Sequence, residues 1–214
     1  AEYSDKEVVY ARGCSGRITS YNPTEIAHAV EVAKSSDVVI LQVGDHLDYI
    51  GEWCSTATLE LLGGQNELFA ALNETGVPVV VVFTGSRPLI ITEHAEKARA
   101  ILCMFSPGME AGEAAANIIS GKVNPEGRLP ITFPRHVGQL PVYYNQPAGA
   151  HQAHYADMQG KGFFGLYPFG FGMSYTLFQR RFPKLEKDVY KAGESVKLSL
   201  LVRNQGNFEG TETI

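Results

Sequence analysis

The tightest constraint on the fold comes from three short, almost wholly apolar runs, residues 38–43, 79–83 and 100–105, separated by helical patterns. A strand that is apolar on both faces has to be covered on both, as in a parallel sheet flanked by helices. The helices are marked by their ends. Asn22 stands as an N-cap, with Pro23 at the first helical position and Glu25 three residues after the cap, a capping-box arrangement. Ile26, Ala29, Val30 and Ala33 then give that helix one apolar face. A second helix is expected over residues 65–73, stopping at Gly76, and a later one over residues 112–120, stopping at Gly121. Val8-Val9-Tyr10 reads as a further short strand. The expected fold class is α/β: an open, largely parallel sheet with helices on both faces.

After residue 121 this pattern stops. Asn124-Pro125-Glu126-Gly127-Arg128-Leu129-Pro130-Ile131-Thr132-Phe133-Pro134 and Leu166-Tyr167-Pro168-Phe169-Gly170-Phe171-Gly172-Met173-Ser174-Tyr175-Thr176 fit neither helix nor strand. Proline removes backbone donors and fixes φ, while glycine opens conformations closed to other residues. Yet the aromatic and aliphatic residues between them demand burial. From Lys184 the character changes again: Val196, Leu198, Leu200 and Val202 alternate with other residues, and Asn204-Gln205-Gly206-Asn207 supplies a turn. This reads as a half-buried strand of an antiparallel β domain. The run to Ile214 is too short for a sandwich of about seven strands, so a stub is expected.

The chain is long enough for a substantial core. A formal net charge of -5, with lysines and arginines scattered, excludes the basic patch that nucleic-acid binding needs. No apolar run is long enough to cross a membrane as a helix. Cys14, Cys54 and Cys103 form no Cys-x-x-Cys pair and read as free thiols, with Cys103 buried in a strand. A reducing compartment fits them. The chain opens without the basic start and apolar stretch of a secretory signal. A soluble, cytoplasmic location is therefore expected over a secreted one. His151 and His154 have a spacing compatible with metal binding on a helix but no nearby third ligand, so neither metal nor cofactor is expected.

Ligands of open α/β sheets bind beyond the carboxyl ends of the strands. The segment after Val43, residues 44–64, is much longer than the usual connection and holds His46, Tyr49, Trp53 and the carboxylates Asp45, Asp48, Glu52 and Glu60. Carboxylates beside aromatic rings suit a sugar site, where apolar surface also raises a carboxyl pKa. A solvated acidic loop with Trp53 packed on the core fits the same residues equally well.

The two Pro/Gly/aromatic segments, in this order after an α/β region, resemble the C-terminal half of family 3 glycoside hydrolases, the β-glucosidase and β-xylosidase group. The resemblance runs over essentially residues 8–214. It includes Val8-Val9-Tyr10-Ala11-Arg12-Gly13-Cys14, Gly85-Ser86-Arg87-Pro88-Leu89, Ser106-Pro107-Gly108-Met109-Glu110-Ala111-Gly112 and Gly138-Gln139-Leu140-Pro141-Val142-Tyr143-Tyr144-Asn145. In that family a strand ending in Val-Gly leads to a Gly-Glu pair, an Asp-Arg or Ser-Arg pair, a Leu-x-Leu-Pro segment and a Gln that opens a helix. Val43-Gly44, Gly51-Glu52, Leu59-Glu60-Leu61 and Gln65 follow that order. Ser55-Thr56 stands where the relatives carry the arginine pair, and Leu62 replaces the proline.

The resemblance implies that Glu52 is the general acid/base, with Asp48 and Asp45 in reserve. The acidic and aromatic character of the loop makes Asp48, Trp53 and His46 the candidate substrate residues, an exposed loop histidine being the alternative for His46. The resemblance divides the chain into a C-terminal α/β sandwich domain, 1–182, and the truncated start of a fibronectin type III-like domain, 183–214. It places a first strand of the α/β domain before Ala1. It also implies a retaining exo-β-glycosidase, most simply a β-glucosidase, acting on β-glucosides or related oligosaccharides. The nucleophilic aspartate would lie on a preceding TIM-barrel domain, so this chain alone should be inactive. The alternative is a non-catalytic lobe that binds carbohydrate or stabilises a barrel partner. A nucleotide-binding domain is disfavoured, because Gly170-Phe171-Gly172 lacks a third glycine at the required spacing and opens no helix after a strand. Arg87 and Arg128 read as loop-holding residues, Glu110 as a helix-start residue, and Tyr167 and Phe169 as parts of a clamp.

Overall fold

A computed structural model of the protein describes residues 7–15, 17–145 and 165–214. The chain forms α1 (Pro23–Lys34), β1 (Val39–Gly44), α2 (Gln65–Glu74), β2 (Val79–Thr84), α3 (Thr92–Lys97), β3 (Ala100–Phe105) and α4 (Ala111–Ile119). It closes with β4 (Phe178–Leu185) and β5 (Leu198–Asn204). β1, β2 and β3 form a parallel sheet in that order, with Val43 opposite Phe83 and Phe83 opposite Cys103. β4 and β5 make a separate antiparallel pair.

The helix ends follow the local chemistry. The Asn22 side chain accepts the backbone N–H groups of Thr24 and Glu25, offsetting two orphan donors at the start of α1. The Glu25 carboxylate lies 3.8 Å from Arg12. Past the end of α2, Gly76 adopts φ +75°, the left-handed conformation that glycine takes without a Cβ clash.

Ile26, Ala29 and Ala33 of α1 and Leu68, Phe69 and Leu72 of α2 meet Leu41, Val43, Val81 and Phe83 of the sheet in one apolar core. Phe83, central and fully buried, is stabilised by about 2–3 kcal/mol from the loss of its water contact. Its ring meets that of Phe133 edge-on at 6.0 Å, and Phe105 approaches Phe133 at 6.2 Å. Phe133 belongs to the first Pro/Gly segment, so that segment is anchored in the α/β core.

The two Pro/Gly segments zip together without forming a regular strand pair. Leu129 N–H donates to Phe171 O (2.8 Å) and Gly170 N–H to Leu129 O (2.7 Å). Phe133 N–H donates to Tyr167 O (2.8 Å) and Leu166 N–H to Phe133 O (2.7 Å). Asn124 extends the clamp: its Oδ1 accepts from the Ser174 hydroxyl and Tyr175 N–H, and its Nδ2 donates to Glu209 O. Tyr167 stacks on Phe171, and Phe169 on Tyr144. The Glu212 carboxylate, 5% exposed, pairs with both Arg128 and Arg180 and ties the last residues to the first segment.

The fold differs from expectation at four points. Val8, Val9 and Tyr10 are exposed and irregular; their β propensity finds no described strand to pair with. β1 is covered on one face only: Leu41 and Val43 are buried, while Ile40 (55% exposed) and Gln42 face away with no described element packed over them. Cys103 in β3 is half-buried, and its thiol is raised by burial. The short helix α3 and the strand β4 were not apparent in the sequence pattern. Among the described residues, no helix is long and apolar enough to cross a membrane.

Candidate functional site

The carboxyl ends of the three parallel strands bring together the segments after β1, β2 and β3. Asp45 N–H donates to Thr84 O and Gly85 N–H to Phe105 O, so the turns leave the sheet as one joined edge. Gly44 has φ +153°, and a Cβ there would collide with the Thr84 carbonyl. The backbone of β2 therefore requires a glycine at that point.

The long loop, residues 44–64, is fastened at both roots. Gln65, buried at the start of α2, accepts Gly44 N–H at 2.7 Å and donates to Gly44 O at 2.9 Å and Leu62 O at 2.8 Å. One amide thus satisfies the last residue of β1 and the end of the loop that returns from it. Beside it, Arg87 donates from Nε and Nη2 to the two oxygens of Asp45, at 3.0 and 2.8 Å. The Asp45 side chain is 3% exposed, and this bidentate pairing compensates its burial. Asp45 is committed to holding the loop, and Arg87 is its holder, as Arg128 is for Glu212.

Two of the candidate substrate residues come together. His46 and Asp48 lie at a 3-10 turn, Leu47–Tyr49, with His46 Nδ1 3.5 Å from Asp48 Oδ1. Arg17 reaches both, 3.2 Å from Asp48 Oδ2 and 3.3 Å from His46 Nε2. The Tyr49 hydroxyl accepts Ile18 N–H at 2.9 Å. In the sequence, the only signal for Arg17 is the lack of any Lys or Arg inside the loop itself.

Glu52 and Trp53 stand apart on the next turn. Trp53 is 96% exposed at φ +68° and does not pack on the core. Glu52 is exposed too, and no hydrogen bond or ion pair among the described residues reaches its carboxylate. At Thr56 the hydroxyl donates to Thr58 O, within the loop. Glu60, on the return of the loop, pairs as an isolated parallel bridge with Ile90. Burial raises its carboxyl pKa, and His136 opposes the rise. Among the described residues no group of three His, Cys, Asp or Glu is placed to hold a metal ion, and His151 and His154 lie outside them.

Known proteins match this chain along nearly its whole length. The profile of the Glycosyl hydrolase family 3 C-terminal domain matches residues 4–175. A β-xylosidase of Formosa agariphila is 40% identical over 97% of this chain and 28% of its own length. A periplasmic β-glucosidase of Salmonella typhimurium is 36% identical over 88% of this chain and 26% of its own. Among solved structures, a β-glucosidase from Erythrobacter marinus superposes with a TM-score of 0.85 at 34% identity, over 96% of this chain and 30% of its own. The Listeria innocua β-glucosidase in complex with glucose gives a TM-score of 0.80 at 31% identity, over 91% of this chain and 28% of its own. The chain spans less than a third of the length of each of these relatives. With matching motifs, matching backbone and a family profile that covers most of its residues, the chain belongs to glycosyl hydrolase family 3, in that family's C-terminal domain.

Proposed function

We propose that this chain is the lobe of a retaining exo-β-glycosidase, most simply a β-glucosidase, that supplies the general acid/base Glu52. The nucleophilic aspartate would come from a TIM-barrel domain of the same parent enzyme. Residues 1–182 would form the α/β sandwich domain, and residues 183–214 the start of a fibronectin type III-like domain. The supporting observation is the state of the loop after β1. Its roots are fixed by Gln65 and Arg87, while Glu52 stands exposed beside Trp53 and, among the described residues, unpaired. An unpaired carboxylate on a well-founded arm is free to meet a glycosidic oxygen.

In a retaining mechanism the acid protonates the departing oxygen as the nucleophile attacks the anomeric carbon. The same residue, now a base, then takes a proton from the water that releases the sugar. The two carboxyl groups have to stand about 5–5.5 Å apart, which sets how close Glu52 must come to the partner aspartate. Trp53 would stack on a sugar face, and His46 and Asp48 would hydrogen-bond its hydroxyls.

The test is Glu52→Ala in the full-length enzyme. Hydrolysis of an aryl β-glucoside with a poor leaving group should fall by about 100-fold to 10,000-fold. Azide should restore turnover of a substrate with a good leaving group. Unchanged rates on the poor leaving group, or no azide rescue, would remove Glu52 from the role. Thr56, in the place of the family's arginine, favours a second reading, a non-catalytic carbohydrate-binding or stabilising lobe. A parent enzyme whose preceding domain is a barrel with an aspartate-bearing loop argues for catalysis, and any other preceding domain for the second reading.

A further inference from the structure

The loop of residues 44–64 carries Asp45, Asp48, Glu52 and Glu60 but no lysine or arginine. Its positive partners therefore come from outside. Arg87, after β2, takes Asp45 at the root. Arg17, from the segment before α1, takes Asp48 further out. The segment around Arg17 touches the loop at both ends. Ile18 N–H donates to the Tyr49 hydroxyl near the start, and at the far end Gly63 (φ +72°) packs against the Ser15 carbonyl so closely that a Cβ would sit 2.7 Å from that oxygen.

We propose that Arg17 is a positioning residue, fixing the His46–Asp48 turn from which the arm bearing Glu52 springs. It stands in for a charge the loop itself lacks. The proposal rests on the assignment of Glu52 as the acid/base. A lone exposed ion pair does little, since two long side chains must be ordered in water. Arg17 is not alone in that sense, because its neighbour Ile18 supplies a backbone bond to the same turn. Its Nε–H also reaches Nε2 of His46 at 3.3 Å, while Asp48 N–H reaches Nδ1 at 3.2 Å. A neutral imidazole has a single acceptor nitrogen, so the two contacts compete for the ring, and Arg17 holds the ring and the Asp48 carboxylate from outside the loop.

A purely structural role and a positioning role separate by leaving group. kcat/KM reports only the first bond-breaking step. That step needs the acid for phenyl β-glucoside but scarcely for 2,4-dinitrophenyl β-glucoside. In the full-length enzyme, Arg17→Gln should lower kcat/KM on the phenyl substrate by about 10-fold to 100-fold, as a displaced catalytic group does, and lower the dinitrophenyl value by about 10-fold less, since the sugar contacts of His46 and Asp48 serve both substrates and acid catalysis only the first. Arg17 is exposed, so the variant should fold. An equal fall on both substrates, or none on either, would overturn the proposal. Glu52→Ala runs alongside as the reference. If it fails to show the same contrast, the reading of Glu52 falls and the role of Arg17 with it. If Glu52→Ala shows the contrast and Arg17→Gln does not, the role of Arg17 alone is refuted.

Discussion

His94 makes the chain's stability depend on pH in a way the structure specifies. It lies in α3, 1% exposed, stacked on Phe69 at 4.1 Å and 26° between planes, with Nε2 lacking a hydrogen-bond partner among the described residues. Burial pushes its pKa down from 6.5 to about 4, against a small opposing pull from Glu93. The unfolded chain therefore binds a proton between those values that the folded chain refuses. Stability contributed by the neutral ring is nearly complete at pH 7 and is lost as pH falls from 6.5 towards 4. Integrating the two titrations gives a loss of about 2 kcal/mol between pH 7 and pH 5, and about 3 kcal/mol by pH 4. Other groups titrate in the same range, so the quantity to measure is the difference between the wild type and His94→Leu, which keeps an apolar ring-sized neighbour for Phe69 but has no proton to take. Urea unfolding at pH 7 and pH 5, followed by far-UV circular dichroism, gives both free energies. Trp53 fluorescence is a poor probe here, because that ring is already exposed in the folded state. The wild type should lose about 2 kcal/mol more than the variant over this interval. Parallel losses in the two proteins would refute the reasoning.

Gln65→Leu should destabilise the chain by about 2–5 kcal/mol in urea unfolding, because Gly44 N–H and C=O are left buried without partners. Glu212→Ala should cost about 3 kcal/mol by the same measurement, and should speed amide exchange in β4 and β5, since Arg128 is left buried without its counter-charge. Phe133→Ala, which opens a hole between Phe83 and Phe105, should cost about 3–5 kcal/mol. Trp53→Ala should leave stability within about 0.5 kcal/mol of the wild type. In the full-length enzyme the same change should raise KM for β-glucosides, and an unchanged KM would remove Trp53 from the substrate.

The α/β part of the fold was legible because its punctuation is local. Asn22-Pro23 and Gly76 act within one turn of the chain, and their effect does not depend on what packs beyond. α3 escaped notice for the opposite reason: in Thr92–Lys97 the buried side chain is a histidine, so the segment shows no apolar period. β4 was hidden by Arg180, Arg181 and Pro183, residues that argue against a strand unless it is exposed and at an edge, as this one is. The outer face of β1 could not be inferred, because the sequence gives the side chains of a strand but not which of its faces is covered.

The loop after β1 followed the same division. Its length and residue types were readable, but the ordering of its carboxylates was not, since that ordering depends on cations contributed by distant segments. From root to tip the loop grows progressively less committed. Asp45 is buried and held by both arms of Arg87; Asp48 is half-exposed and shares Arg17 with His46; Glu52 is exposed with no partner among the described residues. An acid/base that must give and later regain a proton cannot be tied to a guanidinium through both oxygens, as Asp45 is. It also needs an anchored support, which a wholly solvated loop lacks. The gradient therefore supports the proposed choice of Glu52 over Asp48 and Asp45 on grounds independent of the family motif. A loop that carries no lysine or arginine of its own still has a fixed base, held by Arg87 on one side and Arg17 on the other.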